Sequence, residues 1–348
     1  MKKIPVTMIT TNKSGSMDHK VDEMIHIQSY YHFIKAVNYY LLKKGLENAL
    51  FLRERADGLG AFKNRTLAQD FKRLLNDAGI SETTLSTFAE TYNKEMNAVL
   101  IFSEKEISGA TSIELFNLAM ITGKLGKTSN GLVSLKEKNN SQGLFDMGIE
   151  PGNGIGGVPI FDPALAAKLH EKWNITVPPK INLLDLLLGE GKIRNLFIFG
   201  EDPVGCSNST EINNWLKKSD FKVVQDYFMT PTAEEANLIM PASFPAETGG
   251  SFTNAQKVIQ PFEAVLPVKP GMTNIEQLIG ILKKFGFAGS TAPEQVFGEL
   301  VSLLPGGKDH GPLKMEYTTA DDDTRLFAFG CDAVVRKFDE DFSIKTNY

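Results

Sequence analysis

Three carboxylates, Glu201, Asp202 and Asp226, stand directly after short apolar runs, Asn195-Leu196-Phe197-Ile198-Phe199 and Phe221-Lys222-Val223-Val224. A carboxylate at the carboxyl end of a parallel strand can accept from ribose hydroxyls, or from a purine's exocyclic amine and ring N–H, because its two oxygens match that pair of donors. The occurrence of two such clusters on adjacent strands is what a binding role rests on; a helix N-cap or a solvated turn is the ordinary reading of such carboxylates. Gly152-Asn153-Gly154-Ile155-Gly156-Gly157 has the glycine density of a phosphate-cradling loop, but a dinucleotide fingerprint needs a strand before it and a helix opening after it. Pro151 and Pro159 flank it instead. The complete phosphate-loop pattern, His-Glu-x-x-His and Gly-x-Ser-x-Gly are all absent from the sequence. His19, His26, His32, His170 and His310 lack ligand spacing, and Asp321-Asp322-Asp323 reads as a solvated turn. No residue stands out as catalytic or as a metal ligand.

The elements that must carry these residues follow from apolar spacing. Val6 to Thr10 predicts a strand, the polar stretch Asn12 to Lys20 a loop, and Met24 to Gln28 a second short strand. Phe33, Ile34, Val37, Tyr40 and Leu41 fall at helical spacing, with a stop at Gly45. Further helices are expected over Thr66 to Asn76, Glu82 to Tyr92 and Ser112 to Thr122. Ala98 to Phe102 is a continuous apolar run that suits a strand buried on both faces of a parallel sheet. Glycine-rich sequence from Gly123 to Gly157 predicts little regular structure and a domain boundary. Beyond it, strands at Asn195–Phe199, Phe221–Val224 and Asn237–Met240 alternate with helical spacing at Ile212, Trp215 and Leu216 and again over Thr232 to Ala236. That alternation argues for a parallel α/β sheet with right-handed crossovers. Pro245 to Pro261 reads as loop and Ile275 to Phe285 as helix. From Ala288 to Tyr348 only short elements are expected.

Length and composition narrow the function classes. A chain of 348 residues suggests two or three domains. With 42% hydrophobic and 23% charged residues it is ordinary globular sequence, which excludes whole-chain disorder. A net charge of −5 without a clustered basic face argues against a nucleic acid partner. No apolar run approaches the ~20 residues needed to span a bilayer, and no signal-type apolar core follows Met1-Lys2-Lys3. Cys206 and Cys331 are too few for a disulfide framework or for an iron–sulfur cluster, so a reduced, cytoplasmic-type chain without such a cluster is expected.

Several runs carry a family resemblance. Val223-Val224-Gln225-Asp226-Tyr227-Phe228-Met229-Thr230-Pro231-Thr232-Ala233, then Ala236 to Ala242 and Glu247-Thr248-Gly249-Gly250-Ser251-Phe252-Thr253-Asn254, resemble the molybdopterin oxidoreductases. Within those bis-molybdopterin-guanine-dinucleotide enzymes the similarity is greatest to the catalytic subunit of formate dehydrogenase. Leu118 to Lys127, Asn139 to Gly148 and Gly200-Glu201-Asp202-Pro203 match further blocks in the same order.

The resemblance implies an α/β fold with two dinucleotide-binding-like, doubly wound domains and mostly parallel sheets, the first incomplete. Residues 1–138 would be part of the first domain, and 139–348 the second with a C-terminal extension. It implies a molybdopterin guanine dinucleotide cofactor, with molybdenum or tungsten held only where missing parts are supplied. Gly200, Glu201, Asp202, Pro203, Gln225, Asp226 and Thr230 fall where the family holds one guanosine. Asn274 stands where the family often has an Asp for the guanine, and its amide offers one acceptor and one donor group instead of two acceptors. Three departures bear on activity. The family's cysteine cluster and metal ligand have no counterpart. Thr10-Thr11-Asn12 occupies the strand tip expected to carry an Asp for the other guanosine. Lys136 and Lys138 stand where formate dehydrogenases place an Arg and a Gln, and Lys cannot reproduce the bidentate fork of Arg. The expectation is a chain inactive by itself, with a partner chain carrying the iron–sulfur and metal-ligand domains, or self-association. The alternative is a non-catalytic structural relative without bound cofactor, like the large peripheral subunit of NADH dehydrogenase.

Overall fold

The computed structural model describes residues 4–13, 15, 17–136, 138–149, 152–177, 194–206, 214, 216–255 and 258–303, with three two-residue strands at 315–316, 326–327 and 334–335. Ile212, Trp215, His310, Asp321 to Asp323 and Cys331 lie outside the described residues. The described residues divide into two compact units, one within Met1–Glu137 and one within Lys138–Gly307, the strands at 315–316, 326–327 and 334–335 belonging with the first.

The first unit opens with two short parallel strands, β1 (Thr7–Thr10) and β2 (Glu23–His26), in register from Thr7 opposite Glu23 to Thr10 opposite His26. Helix α1 (Tyr30–Lys43) follows, capped by Ser29, whose hydroxyl accepts the His32 N–H. Its apolar positions recur every three to four residues, so Phe33, Ile34, Val37 and Leu41 form one inward stripe. Short helices α2 (Ala49–Arg55), α3 (Leu59–Leu67), α4 (Phe71–Ala78) and α5 (Glu82–Lys94), with the two-residue strand β3 (Ala56–Asp57) between α2 and α3, wrap this stripe. The single helix expected over Thr66 to Asn76 is two. Asp70 interrupts it as the N-cap of α4, its carboxylate accepting the Lys72 and Arg73 N–H groups.

Strand β4 (Val99–Ser103) leads to α6 (Gly109–Ile121), a helix buried almost all round, and then to β5 (Gly131–Leu135), which pairs in parallel with β4. Two expectations are corrected here. The glycine-rich stretch does contain a strand, because Leu132 and Val133 supply an apolar run beside β4. The run at Ala98–Phe102 is not buried on both faces: Ile101 is 65% exposed, since among the described residues the sheet has two strands and Ile101 stands on an uncovered face.

The second unit begins with α7 (Ser141–Asp146) and a 3-10 turn at Ile155–Gly157. The glycines here serve close packing. Gly148 has a φ of +77°, and a Cβ on it would lie 2.7 Å from the backbone of Gly154 and Ile155. Helix α8 (Pro163–Trp173), capped by Asp162, packs Leu165 and Leu169 against Leu303 of the last described helix. Next come β6 (Asn195–Phe199), the four-residue α9 (Pro203–Cys206), β7 (Phe221–Asp226), α10 (Pro231–Glu234) and β8 (Leu238–Pro241). The three strands form a parallel sheet in the order β6-β7-β8, with Val223 and Val224 of the central strand buried. Pro241 pairs opposite Asp226 as the last residue of β8. Pro245 to Pro261 is more ordered than its composition predicts: α11 (Pro245–Thr248) precedes an antiparallel hairpin of β9 (Gly250–Thr253) and β10 (Ile259–Phe262), stacked through Phe252 and Phe262. Helices α12 (Asn274–Lys284) and α13 (Pro293–Leu303) complete the unit.

Candidate functional site

The carboxyl ends of β6, β7 and β8 gather most of the residues singled out in the sequence, held there by the sheet register. Phe199 pairs with Gln225, and Gln225 with Met240, so the turns after all three strands emerge at one edge. Gly200 leaves β6 with a φ of +64° and donates its N–H to the Gln225 carbonyl at 2.8 Å. Asp202 then closes the turn. One of its oxygens, Oδ1, accepts from the Thr232 hydroxyl at 2.5 Å, the Thr232 N–H at 3.0 Å and the Gly205 N–H at 3.0 Å. Burial pushes this carboxyl up, but the three donors outweigh it and hold it below the usual carboxylate range. Asp202 thereby ties the start of α9, which opens on Pro203, to α10. Glu201 lies exposed beside it.

Gln225 is buried in β7 and donates through Nε2 to Gln277 Oε1 at 2.8 Å; Gln277 in turn donates to the carbonyls of Pro241 and Met272. Asp226, one residue on, folds back on its own turn, with Oδ1 accepting the N–H groups of Tyr227 at 2.6 Å and Phe228 at 3.2 Å. Its other oxygen, Oδ2, has no hydrogen-bond partner among the described residues. Thr230 caps α10 by accepting the Ala233 N–H. Asn274 grips Ser243 from both sides, Oδ1 accepting the Ser243 N–H at 2.7 Å and Nδ2 donating to the Ser243 carbonyl at 3.2 Å.

Three contributors to this edge escape sequence reading. Gln277 and Thr232 are the partners that fix Gln225 and Asp202. Tyr227, Phe228 and Phe244 form an aromatic group: the Tyr227 and Phe244 rings stack at 4.3 Å, Phe228 meets Phe244 edge-on, and Phe228 is 67% exposed. Burial raises the Tyr227 phenol, and the neighbouring Asp226 charge adds to it. The one available signal was the adjacency of these aromatics to Asp226.

In the first unit, Lys136 ends the chain leaving β5 and forms an ion pair with Glu104 at 2.7 Å, each side chain only 17% exposed. Ser134 donates to the same Glu104 oxygen at 2.6 Å. The Thr10 hydroxyl accepts the Asn12 N–H, and the Thr11 N–H reaches the Tyr30 hydroxyl. In the second unit the Lys138 carbonyl accepts from Ser141, and Asn140 Oδ1 accepts the Thr253 N–H at 3.0 Å, fixing the start of α7 to the hairpin. Among the described residues no group of three His, Cys, Asp or Glu is placed to hold a metal ion, and no helix is long and apolar enough to cross a membrane.

Parallel strands whose polar turns converge at their carboxyl edge define the class as an α/β protein with its candidate site at the strand ends. Residues 101–272 match the family model described as molybdopterin oxidoreductase. A Staphylococcus aureus protein (strain bovine RF122 / ET3-1) named "Putative formate dehydrogenase" is 28% identical over 284 residues, 78% of this chain and 29% of the relative. Its counterpart in strain USA300 is 27% identical with the same coverage. The chain thus spans 29% of the length of these curated relatives. Acetylene hydratase from Pelobacter acetylenicus has a solved structure similar in fold, with a TM-score of 0.59 and 12% identity over 81% of this chain and 43% of that one. The family implies a molybdopterin cofactor.

Proposed function

We propose that this chain holds the guanine-dinucleotide end of a molybdopterin cofactor at the carboxyl edge of β6, β7 and β8, as part of a formate dehydrogenase-like catalytic subunit. The observation that carries the reading is the turn after β7, where Asp226 Oδ2 has no hydrogen-bond partner among the described residues, while Gly200, bonded through its N–H to the Gln225 carbonyl, has open space where a Cβ would stand. That donor-accepting oxygen and the space next to it fit a guanosine, whose base and ribose present N–H and O–H groups. Asp226 and Glu201 would accept from the nucleoside. Asp202, Gln225, Thr230 and Asn274, bonded to Thr232, Gln277, Ala233 and Ser243, would shape the turns around it together with Pro203, which has no donor of its own. When bound, the cofactor supplies redox chemistry through its metal, whereas the residues here orient its nucleotide end.

On this reading the chain is inactive by itself and works in the cytoplasm with a partner chain bearing the metal ligand and the iron–sulfur cysteines. Isothermal titration of the whole chain with guanosine 5′-diphosphate tests it. Saturable binding that Asp226→Asn weakens about tenfold, the worth of one charge-assisted hydrogen bond, is expected. Equal affinity for adenosine 5′-diphosphate, or none for either, would overturn it.

One observation favours the second reading, a structural relative without cofactor. Lys136, where the resemblance puts an active-centre Arg, has its charge neutralised by Glu104 in a half-enclosed ion pair. A chain of that kind binds no guanine nucleotide and still co-purifies with its partner.

A further inference from the structure

The first unit contains a hollow of about 230 Å³ between α2 and the loop that follows α6. Phe51 and Leu125 form its apolar wall, and Arg55, Gly126 and Lys127 its cationic rim. The two cations flank Gly126: Arg55 Nη1 lies 3.7 Å from where a Cβ on Gly126 would stand, and Lys127 Nζ sits 5.6 Å from the centre of the Phe51 ring. Neither Arg55 nor Lys127 has an ion-pair or hydrogen-bond partner among the described residues. The loop amides of Leu125, Gly126 and Lys127 likewise donate no backbone hydrogen bond there. Glu54 is the one carboxylate in the lining and forms no ion pair with either cation.

Unpaired cations beside unspent backbone N–H groups in a concavity make an anion site. The sequence at this point is Gly126-Lys127-Thr128, the tripeptide on which phosphate loops end. Here it follows a helix, and Ile121 stands where the loop's first glycine would be, so no nucleoside triphosphate loop is present.

We propose that this hollow binds a phosphoryl group, with Arg55 and Lys127 as its charged donors and the amides of the Leu125–Lys127 loop as neutral ones. The ligand is inorganic phosphate or the phosphate of a small monoester. Glu54 sets the affinity by repelling the dianion. The site is separate from the strand-edge region of the second unit and does not depend on the function proposed for it.

Calorimetric titration of the full chain with inorganic phosphate at constant ionic strength tests the proposal, with glycerol 3-phosphate and acetate as parallel arms. One-to-one saturable binding at millimolar phosphate is expected. Arg55→Gln and Lys127→Gln should each weaken it about tenfold, Glu54→Gln should tighten it, and Lys43→Gln, on an exposed helix end outside the lining, should change nothing. Tighter binding of glycerol 3-phosphate than of phosphate identifies a monoester as the ligand, and the reverse identifies the free ion. Absence of saturation, equal loss in the Lys43 variant, or acetate binding as tightly as phosphate would overturn the proposal.

Discussion

The polar residues at the strand edge divide by what their atoms already do. Asp202 spends one oxygen on three donors, and removing it strands them at the junction of α9 and α10. Asp202→Ala should lower stability by about 1.5–3 kcal/mol, the range for hydrogen bonds to a charged group. Because the folded carboxyl lies below its unfolded value, its contribution is present above the unfolded carboxylate pKa and is lost as pH falls through the folded one. Urea midpoints of wild type and variant should therefore converge in acid; a constant gap would contradict the assignment. Asn274 invites the opposite swap, to the Asp the family often carries. A carboxylate in its place keeps the acceptor for the Ser243 N–H but faces the Ser243 carbonyl with no donor. Asn274→Asp should cost about 1–3 kcal/mol in a thermal melt, and a neutral result would mean the amide's grip on Ser243 is dispensable. Sequence placed Asp202, Gln225 and Asn274 at this edge but not their partners. Thr232, Gln277 and Ser243 lie 30, 52 and 31 residues away in the chain, and only the folded register brings them within reach.

At the scale of elements, the α1–α6 contact is where polar chemistry is buried deepest. Asn38 Nδ2 donates to Glu114 Oε2 at 2.8 Å and to the Glu114 carbonyl at 3.1 Å, while Asn38 Oδ1 and Glu114 Oε1 have no hydrogen-bond partner among the described residues. Burial raises the Glu114 carboxyl, against smaller opposing effects from Lys35 and from hydrogen bonds to Asn38 and Asn117. A folded pKa above the unfolded one means that its stabilising share is complete below the unfolded value of about 4.3. It is lost as pH rises through the folded value. Denaturant midpoints should fall over that interval in wild type and stay flatter in Glu114→Gln, which keeps the acceptor for Asn38 and removes the titration. Identical pH profiles would show that Glu114 does not titrate in the fold. The sequence predicted α1 and α6 well, since dense apolar spacing survives any context. It fused α3 with α4, because an Asp between two apolar stretches reads as surface until its cap bonds are seen. It also read Pro245 to Pro261 as loop, where the hairpin strands β9 and β10 run four residues each and owe their order to the Phe252–Phe262 stack.

For the whole molecule, the decisive feature is apolar side chains left exposed on sheet surface among the described residues. Register puts Phe197, Val223 and Leu238 side by side on one face of β6–β7–β8, with Phe199 and Gln225 next along the strands and Phe221 before them. Gln225 reaches Gln277 of α12 from that face, so α12 covers its carboxyl end, whereas Phe197 is 45% and Leu238 48% exposed toward the other end. Ile101 in β4 repeats the pattern in the first unit. In the described residues β6 and β8 are also the unpaired edges of the sheet, and bare apolar strands with open edges pair with whatever strand or helix reaches them. The isolated chain should therefore sediment as concentration-dependent oligomers, and Phe197→Glu with Leu238→Lys should shift it toward monomer without loss of helical circular dichroism. If the same double variant also abolishes co-purification with the proposed partner chain, one surface serves both contacts, and self-association is what the face does without such a partner. A monodisperse wild-type monomer at high concentration would contradict this account, because it would require that face to be covered within the chain itself.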